Sequence, residues 1–418
     1  AEAMESEDPA AKHERAKGLP AFLDQAARNL DMVPQLFQGL GFKMLSDTRD
    51  YLVFLEKIVP DLKSAFPALD RFEEALKKVS IRRDFFLPKE LLEKILRFHI
   101  HCDMGIEEIN QILDQEIDEM QQVLEREAKA LISDRFVSQG SHETWQKALK
   151  SVPMPIIDKE GLLGLYKGEV KRLTKHCVKK GLVSAGLVSS CPVKVRPMPT
   201  YLSAIRAASS YSISPKHPPS GGTFYVFNTA MSEEAQKMYH REYSMLSAHE
   251  TYPGHHFLDT SRWGLTSLCR RVIEQPIFYE GWACFAEELM RITGYFPDPA
   301  HCLLLAKRRL WRAIRGKVDL GLQTGTMNIS TAAGYLEKTG ISSEQAKGSV
   351  SKYPLNPGYQ LCYTLGLRRF QGLFQRYGQE NLPRFIHTIV NQGEIGFSDL
   401  EKILKVKMKS SISTCEGS

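Results

Sequence analysis

The chain has 418 residues, 43% of them hydrophobic and 25% charged, a balance that provides for a sizeable core and argues against intrinsic disorder. Its 55 Lys and Arg against 49 Asp and Glu give a formal charge of +6, spread along the chain in short runs such as Lys307-Arg308-Arg309 that suggest a solvated mixed surface. With no concentrated basic stripe, no nucleic-acid partner is expected.

No segment approaches the ~18 consecutive apolar residues of a spanning helix, and the polar start Ala1 to Lys17 has no apolar signal region. A soluble chain is expected, cytoplasmic or secreted after removal of an N-terminal segment. In chain order, helical spacing of apolar residues predicts helices over about Leu19 to Leu30, Pro67 to Val79, Lys89 to His99, Glu107 to Leu131 and Glu160 to Lys175. The texture changes between Gly181 and Asn228, where Pro197, Pro199 and the loop from Pro215 to Gly222 break any helix. Within it, Thr223-Phe-Tyr-Val-Phe-Asn228 is aromatic and β-branched and bounded by Gly221-Gly222, the pattern of a strand. Ser232 is placed to cap a further helix that begins with Glu233 and Glu234. Helical patterns resume over Asp298 to Leu322, Tyr359 to Tyr377 and Ser398 to Lys405. The fold is therefore expected to be mainly α with a small β-sheet. Residues 1–180 form a helical region on one side of a cleft and residues 181–418 a metal-site catalytic region, the two continuous as one domain.

The eight cysteines lie far apart, without CxxC or other zinc-knuckle spacing, and are excluded as a metal site. The chemistry gathers instead in Ala248-His-Glu-Thr-Tyr-Pro-Gly-His-His256, which holds three histidines and a carboxylate just after a predicted helix. A zinc-peptidase helix needs two imidazoles on one face and a glutamate beside the first, which HExxH supplies at i and i+4. Here i+4 is Pro253. On a straight helix His255 would stand ~9 Å along the axis and about 120° round from His249, and His256 ~10.5 Å along. Pro253-Gly254 is the pair that would interrupt the ladder, letting the helix bulge and return a later histidine to the ion. Either His255 or His256 can be that ligand; His255 is favoured, because a Gly-His step follows the His-Glu pair in other inserted zinc helices. Glu280, in Phe278-Tyr-Glu-Gly-Trp-Ala283, is the best third ligand, presented by a second helix and leaving a fourth position for water. Glu287, seven residues on along the same face, is placed to hold a ligating imidazole through its other nitrogen.

At these residues the sequence resembles the DUF885 family of zinc-peptidase-like proteins, which carry HExxPGHH followed by an EGWALYAE-like segment and group with gluzincin-type metallopeptidases. The resemblance extends from Leu19-Pro20 through Val318-Asp-Leu-Gly321 to Pro357-Gly358, Tyr363 and Gly366. It implies a mostly helical zinc-metallopeptidase-like catalytic domain with a small sheet, whose edge strand, here Tyr225, Val226, Phe227 and Asn228, lies along the cleft and takes peptide by strand addition. Two departures stand out. Family members usually carry Asp-x-Gly-x-His where this chain has Asp319-Leu-Gly-Leu-Gln323, and often an Arg where it has Lys352 before Tyr353.

The expected chemistry is hydrolysis of a peptide bond at one Zn2+ ion, with water activated by the metal and Glu250 as general base. Tyr363, on one helix face with Tyr359 and Gly366, is the candidate for stabilising the oxyanion. Two rivals use the same residues: a non-catalytic peptide-binding or scaffold protein that keeps the fold, and a zinc amidohydrolase acting on a small molecule. Glu250 weighs against the first, since a purely structural ion does not need that carboxylate.

Overall fold

The computed structural model describes residues 9–132, 143–157, 161–198, 209–214, 218–227 and 233–409. Helices dominate. The first region runs α1 (Pro9–Arg28), strand β1 (Met32–Pro34), α2 (Gln35–Glu56), α3 (Phe66–Lys78), β2 (Ser80–Arg82), α4 (Lys89–Phe98), α5 (Ile106–Leu131), α6 (Glu143–Ser151), α7 (Gly161–Lys179) and α8 (Ala185–Ser190). Strands β3 (Val193–Pro197), β4 (Ser210–Ile213) and β5 (Gly222–Val226) follow. The second region is helical again: α9 (Glu233–Arg241), α10 (Tyr243–Glu250), α11 (His255–Arg262), α12 (Leu268–Val272), α13 (Pro276–Ile292), α14 (Pro299–Gln323), α15 (Ile329–Glu337), α16 (Ser343–Val350), α17 (Leu361–Tyr377), α18 (Leu382–Val390) and α19 (Phe397–Lys409). Ser232, the expected cap of α9, lies outside the described residues.

The main core forms where α5, α10, α13, α14 and α17 turn apolar faces to one another, around Leu124, Met245, Trp282, Phe285, Leu310 and Phe370. A separate apolar cluster of Leu52, Leu55, Leu62 and Leu69 ties α2 to α3 through the 3₁₀ turn Pro60–Ala65. Helices α13 and α17 approach most closely at Gly281 and Gly366, where a methyl on either residue would enter the other's backbone. That contact requires both glycines, and it sets Tyr359 and Tyr363 beside Glu280. Among the described residues no helix is long and apolar enough to cross a membrane.

The three-stranded sheet corrects one expectation. β5 is its central strand, parallel to β3 and antiparallel to β4, so Tyr225 and Val226 belong to a strand paired on both sides and not to an edge. Phe227 follows the strand, its N–H bonded to Ser209 Oγ at 2.7 Å, and Asn228 lies outside the described residues. The physical reason was already in the pattern: Phe224 and Val226 pack on Tyr166 and Val170 of α7, while Tyr225 is buried on the other face with Met198. An unbroken apolar run is the mark of a strand covered on both faces. The strand nearest the chemistry is β4, which among the described residues pairs with β5 alone.

Candidate metal centre

Helix α10 carries His249 and Glu250 as its last two residues, and α11 begins at His255. Between them the chain leaves helical conformation altogether, with Thr251 at φ −118°, ψ −114° and Gly254 at φ −82°, ψ −133°. The expected bulge within one helix is thus a full break between two. Gly254 is required there, because a Cβ would strike the carbonyls of Ala248 and His249. Trp282 of α13 braces the break, its indole N–H donating to the Pro253 and Gly254 carbonyls at 3.0 and 3.3 Å.

The break brings His249 and His255 together with their rings edge to face and centroids 4.8 Å apart. Glu280, one turn into α13, reaches both: its Oε2 lies 3.5 Å from His249 Nε2 and 3.5 Å from His255 Nε2. Ligand atoms of these three buried residues all fall within 4.8 Å of one another. Oε2 has no hydrogen-bond partner although it is buried, while Oε1 is held by the hydroxyls of Tyr359 at 2.6 Å and Tyr363 at 3.2 Å. One carboxylate oxygen is fixed and the other faces two imidazole nitrogens. Two nitrogens and one oxygen form a donor set that fits zinc with a fourth position left over.

His256 does not join them. Its Nε2–H donates to the Cys191 carbonyl at 2.9 Å and its Nδ1 accepts from the Tyr211 hydroxyl at 3.0 Å, so it faces the sheet from the opposite side of α11. Burial pushes its pKa down to about 4, which keeps it the neutral tautomer those bonds require. Its inclusion as a possible ligand is corrected by the direction in which α11 starts. Accordingly, His255→Ala is expected to lose stoichiometric zinc. His256→Ala should keep the metal and lose about 1–3 kcal/mol of stability, from a stranded carbonyl and hydroxyl. Metal analysis with denaturant unfolding distinguishes them, and zinc lost from His256→Ala alone would reverse the assignment.

Around the His249, His255 and Glu280 cluster the charges are ordered. Glu287 Oε1 accepts from His249 Nδ1 at 2.9 Å and is clamped by Arg308, with contacts of 2.8 and 2.9 Å, and by Arg312, with contacts of 3.1 and 2.6 Å. Burial acts to raise the Glu287 pKa, but the two guanidinium groups outweigh it and hold the carboxyl well below its usual range. Arg308 continues to Glu242 at 2.9 Å, which Lys307 also meets at 2.8 Å. Lys307 and Arg308, read from sequence as solvated surface, are buried ions, and Arg309 is likewise bound to Glu116 at 2.7 Å. Their setting among Leu303, Leu304, Leu305, Leu310, Ala313 and Ile314 was the available signal for burial.

Glu250 stands beside the cluster without joining it. It is buried, and burial pushes its pKa up against the opposing pull of His249, His255 and a hydrogen bond from the Tyr211 backbone N–H. β4 reaches the surroundings of the site through Tyr211, a residue that its sequence context gave no reason to select and whose hydroxyl donates to His256 at 3.0 Å. The structure places Tyr363, the oxyanion candidate, with its hydroxyl on Glu280 at 3.2 Å. Gln323 is buried on α14 with neither side-chain amide atom hydrogen-bonded, about 16 Å of helix beyond Arg312.

The fold and the site together define a mainly helical protein with a buried two-histidine, one-glutamate cluster at a helix break. The same fold occurs in two solved structures. One, from Colwellia psychrerythraea, is described as a putative lipoprotein; it is 20% identical with a TM-score of 0.72, over 85% of this chain and 63% of that one. The other, from Shewanella oneidensis, is described as a putative lipoprotein of unknown function; it is 18% identical with a TM-score of 0.74, over 95% and 78%. The chain thus spans less than two thirds of the Colwellia protein. No curated protein matches it. The model of the family described as bacterial protein of unknown function (DUF885) matches residues 3–404, and the chain belongs to that family.

Proposed function

We propose that the chain is a zinc-dependent hydrolase of peptide bonds, with His249, His255 and Glu280 as ligands and Glu250 as general base. The observation that carries this reading is the buried, unpartnered Glu280 Oε2 facing two imidazole nitrogens, with a second carboxylate one residue from the first ligand. When bound, zinc supplies Lewis-acid polarisation of a carbonyl and makes water more acidic.

The protein's own groups do the remainder. Glu287 holds the proton of His249 on Nδ1, which keeps Nε2 as a lone-pair donor. Tyr359 and Tyr363 fix Glu280, so that its free oxygen points at the imidazoles. Glu250 takes a proton from the attacking water and passes it to the leaving amine; a carboxyl raised by burial is suited to both halves of that transfer. β4 offers the edge along which an extended substrate can add to the sheet, with Tyr211 linking that edge to Glu250 and His256.

The test is metal analysis coupled to mass spectrometry of a peptide library before and after exhaustive chelation. Roughly one zinc per chain is expected, with cleavage that stops on chelation and returns on zinc addition. Cleavage untouched by chelation sinks the metal mechanism. A chain that binds zinc and peptide but cleaves nothing supports the scaffold reading instead.

A further inference from the structure

Helix α14 carries six cationic side chains, Lys307, Arg308, Arg309, Arg312, Arg315 and Lys317. Five of them hold a carboxylate: Lys307 meets Glu242, Arg308 meets Glu242 and Glu287, Arg309 meets Glu116 and Glu288, Arg312 meets Glu287, and Lys317 meets Asp114. Arg315 differs. Among the described residues no carboxylate lies within 4.0 Å of it, and its Nε is buried without a partner. Asp319, one turn on, accepts from the Gln360 backbone N–H at 3.1 Å instead.

What surrounds Arg315 is aromatic. Its guanidinium lies 4.2 Å from the Trp311 ring centroid, 4.8 Å from Tyr363 and 5.9 Å from Tyr353, with one amine nitrogen on the Gln360 side-chain oxygen. Such a frame orients a guanidinium and keeps water off its faces, and the carboxyl that feels its charge, Asp319, does so without contact. The position is also specific. Tyr363, which Arg315 covers, donates to the Glu280 ligand at 3.2 Å, and Arg312, one turn earlier, lies against Glu287 and His249. A guanidinium with no carboxylate in contact among the described residues therefore stands one tyrosine away from the metal ligands.

We propose that Arg315 is an anion-recognition residue of this site and binds a carboxylate of the substrate, as a bidentate partner in a desolvated setting. The inference rests on the peptidase reading and narrows it to peptides with a carboxylate near the scissile bond. That carboxylate is either the free C-terminus or an acidic side chain.

Three peptides of one core sequence decide the matter with the zinc-loaded chain: one with a free C-terminus, its C-terminal amide, and the amide carrying a single glutamate. The wild type should prefer one of the acidic peptides over the plain amide by about 10- to 100-fold in kcat/KM. A preference for the first assigns the C-terminal carboxylate, and for the third the side chain. In Arg315→Gln the preference among the three peptides should vanish, chiefly through KM, with zinc content held, and Arg315→Lys should recover part of it. Equal treatment of the three peptides by the wild type overturns the proposal, as does a preference that persists in Arg315→Gln.

Calorimetric affinities for the same peptides separate this idea from the reading beneath it. Absent turnover with an Arg315-dependent preference in binding removes the hydrolase alone. Turnover without preference removes the anion subsite alone.

Discussion

Glu250→Gln is expected to bind zinc in the wild-type stoichiometry and to lose peptide hydrolysis by about two to four orders of magnitude, the usual contribution of general acid–base catalysis. The substitution is nearly isosteric, so the packing around the buried side chain is kept. Glu250 is not in the ligand cluster, so the metal should not notice the change. What disappears is the capacity to take and return a proton. Hydrolysis that continues at the wild-type rate in this variant would sink the assigned role, and zinc lost from it would show that Glu250 is a ligand and the cluster misread.

Glu287→Gln should be the most damaging single change to the fold of the site. The neutral side chain would leave Arg308 and Arg312 buried against each other, with Glu242 as the remaining carboxylate on Arg308. Removing one partner of a buried ion pair costs about 3–5 kcal/mol, because the charge left behind has neither water nor a counter-ion. Zinc affinity should fall by about 10- to 100-fold as well, since the group that orients His249 becomes a weaker acceptor. Denaturant unfolding of the metal-free chain reads the first effect and competition with a chelator the second. A stability change under about 1 kcal/mol, the scale of an exposed pair, would mean that the arginines are solvated.

Much of the helical framework was legible in the sequence. α5 from Ile106 to Leu131 and α14 from Pro299 to Gln323 carry apolar residues at a steady helical spacing, which needs no tertiary information to detect. α2 was not recognised, because it scatters its apolar residues around the axis and leaves Met44, Val53 and Phe54 exposed. Within the site, His249, Glu280 and Glu287 sit where spacing on two helices places them. The choice between His255 and His256 depends on the dihedral angles of the break, which composition does not encode. The buried arginines stayed hidden for a related reason: a charged side chain is buried only against its partner, and Glu242 and Glu287 lie 66 and 21 residues from Arg308. For the sheet, the run Phe224-Tyr-Val226 announced a strand, but which neighbours it has is settled by chain segments far from it.

The break at residues 251–254 carries a consequence for how such a site can change. On an unbroken helix every added residue turns the downstream ligand by about 100°, so ligand spacing is locked to the helical period. Here the two imidazoles belong to separate helices, and the connection between them is held by Trp282 at the Pro253 and Gly254 carbonyls and by the close pass of Gly254 under the Ala248 and His249 carbonyls. The number of residues between the two histidines becomes a property of a connection and not of a helix. Thr251 and Tyr252 are themselves buried, with the Thr251 hydroxyl on the Ser247 carbonyl at 2.6 Å and the Tyr252 hydroxyl on the Cys191 carbonyl at 3.3 Å, so an inserted residue would have to break that packing. The spacing of this cluster is thus fixed by tertiary packing where a continuous helix would have fixed it by its own period.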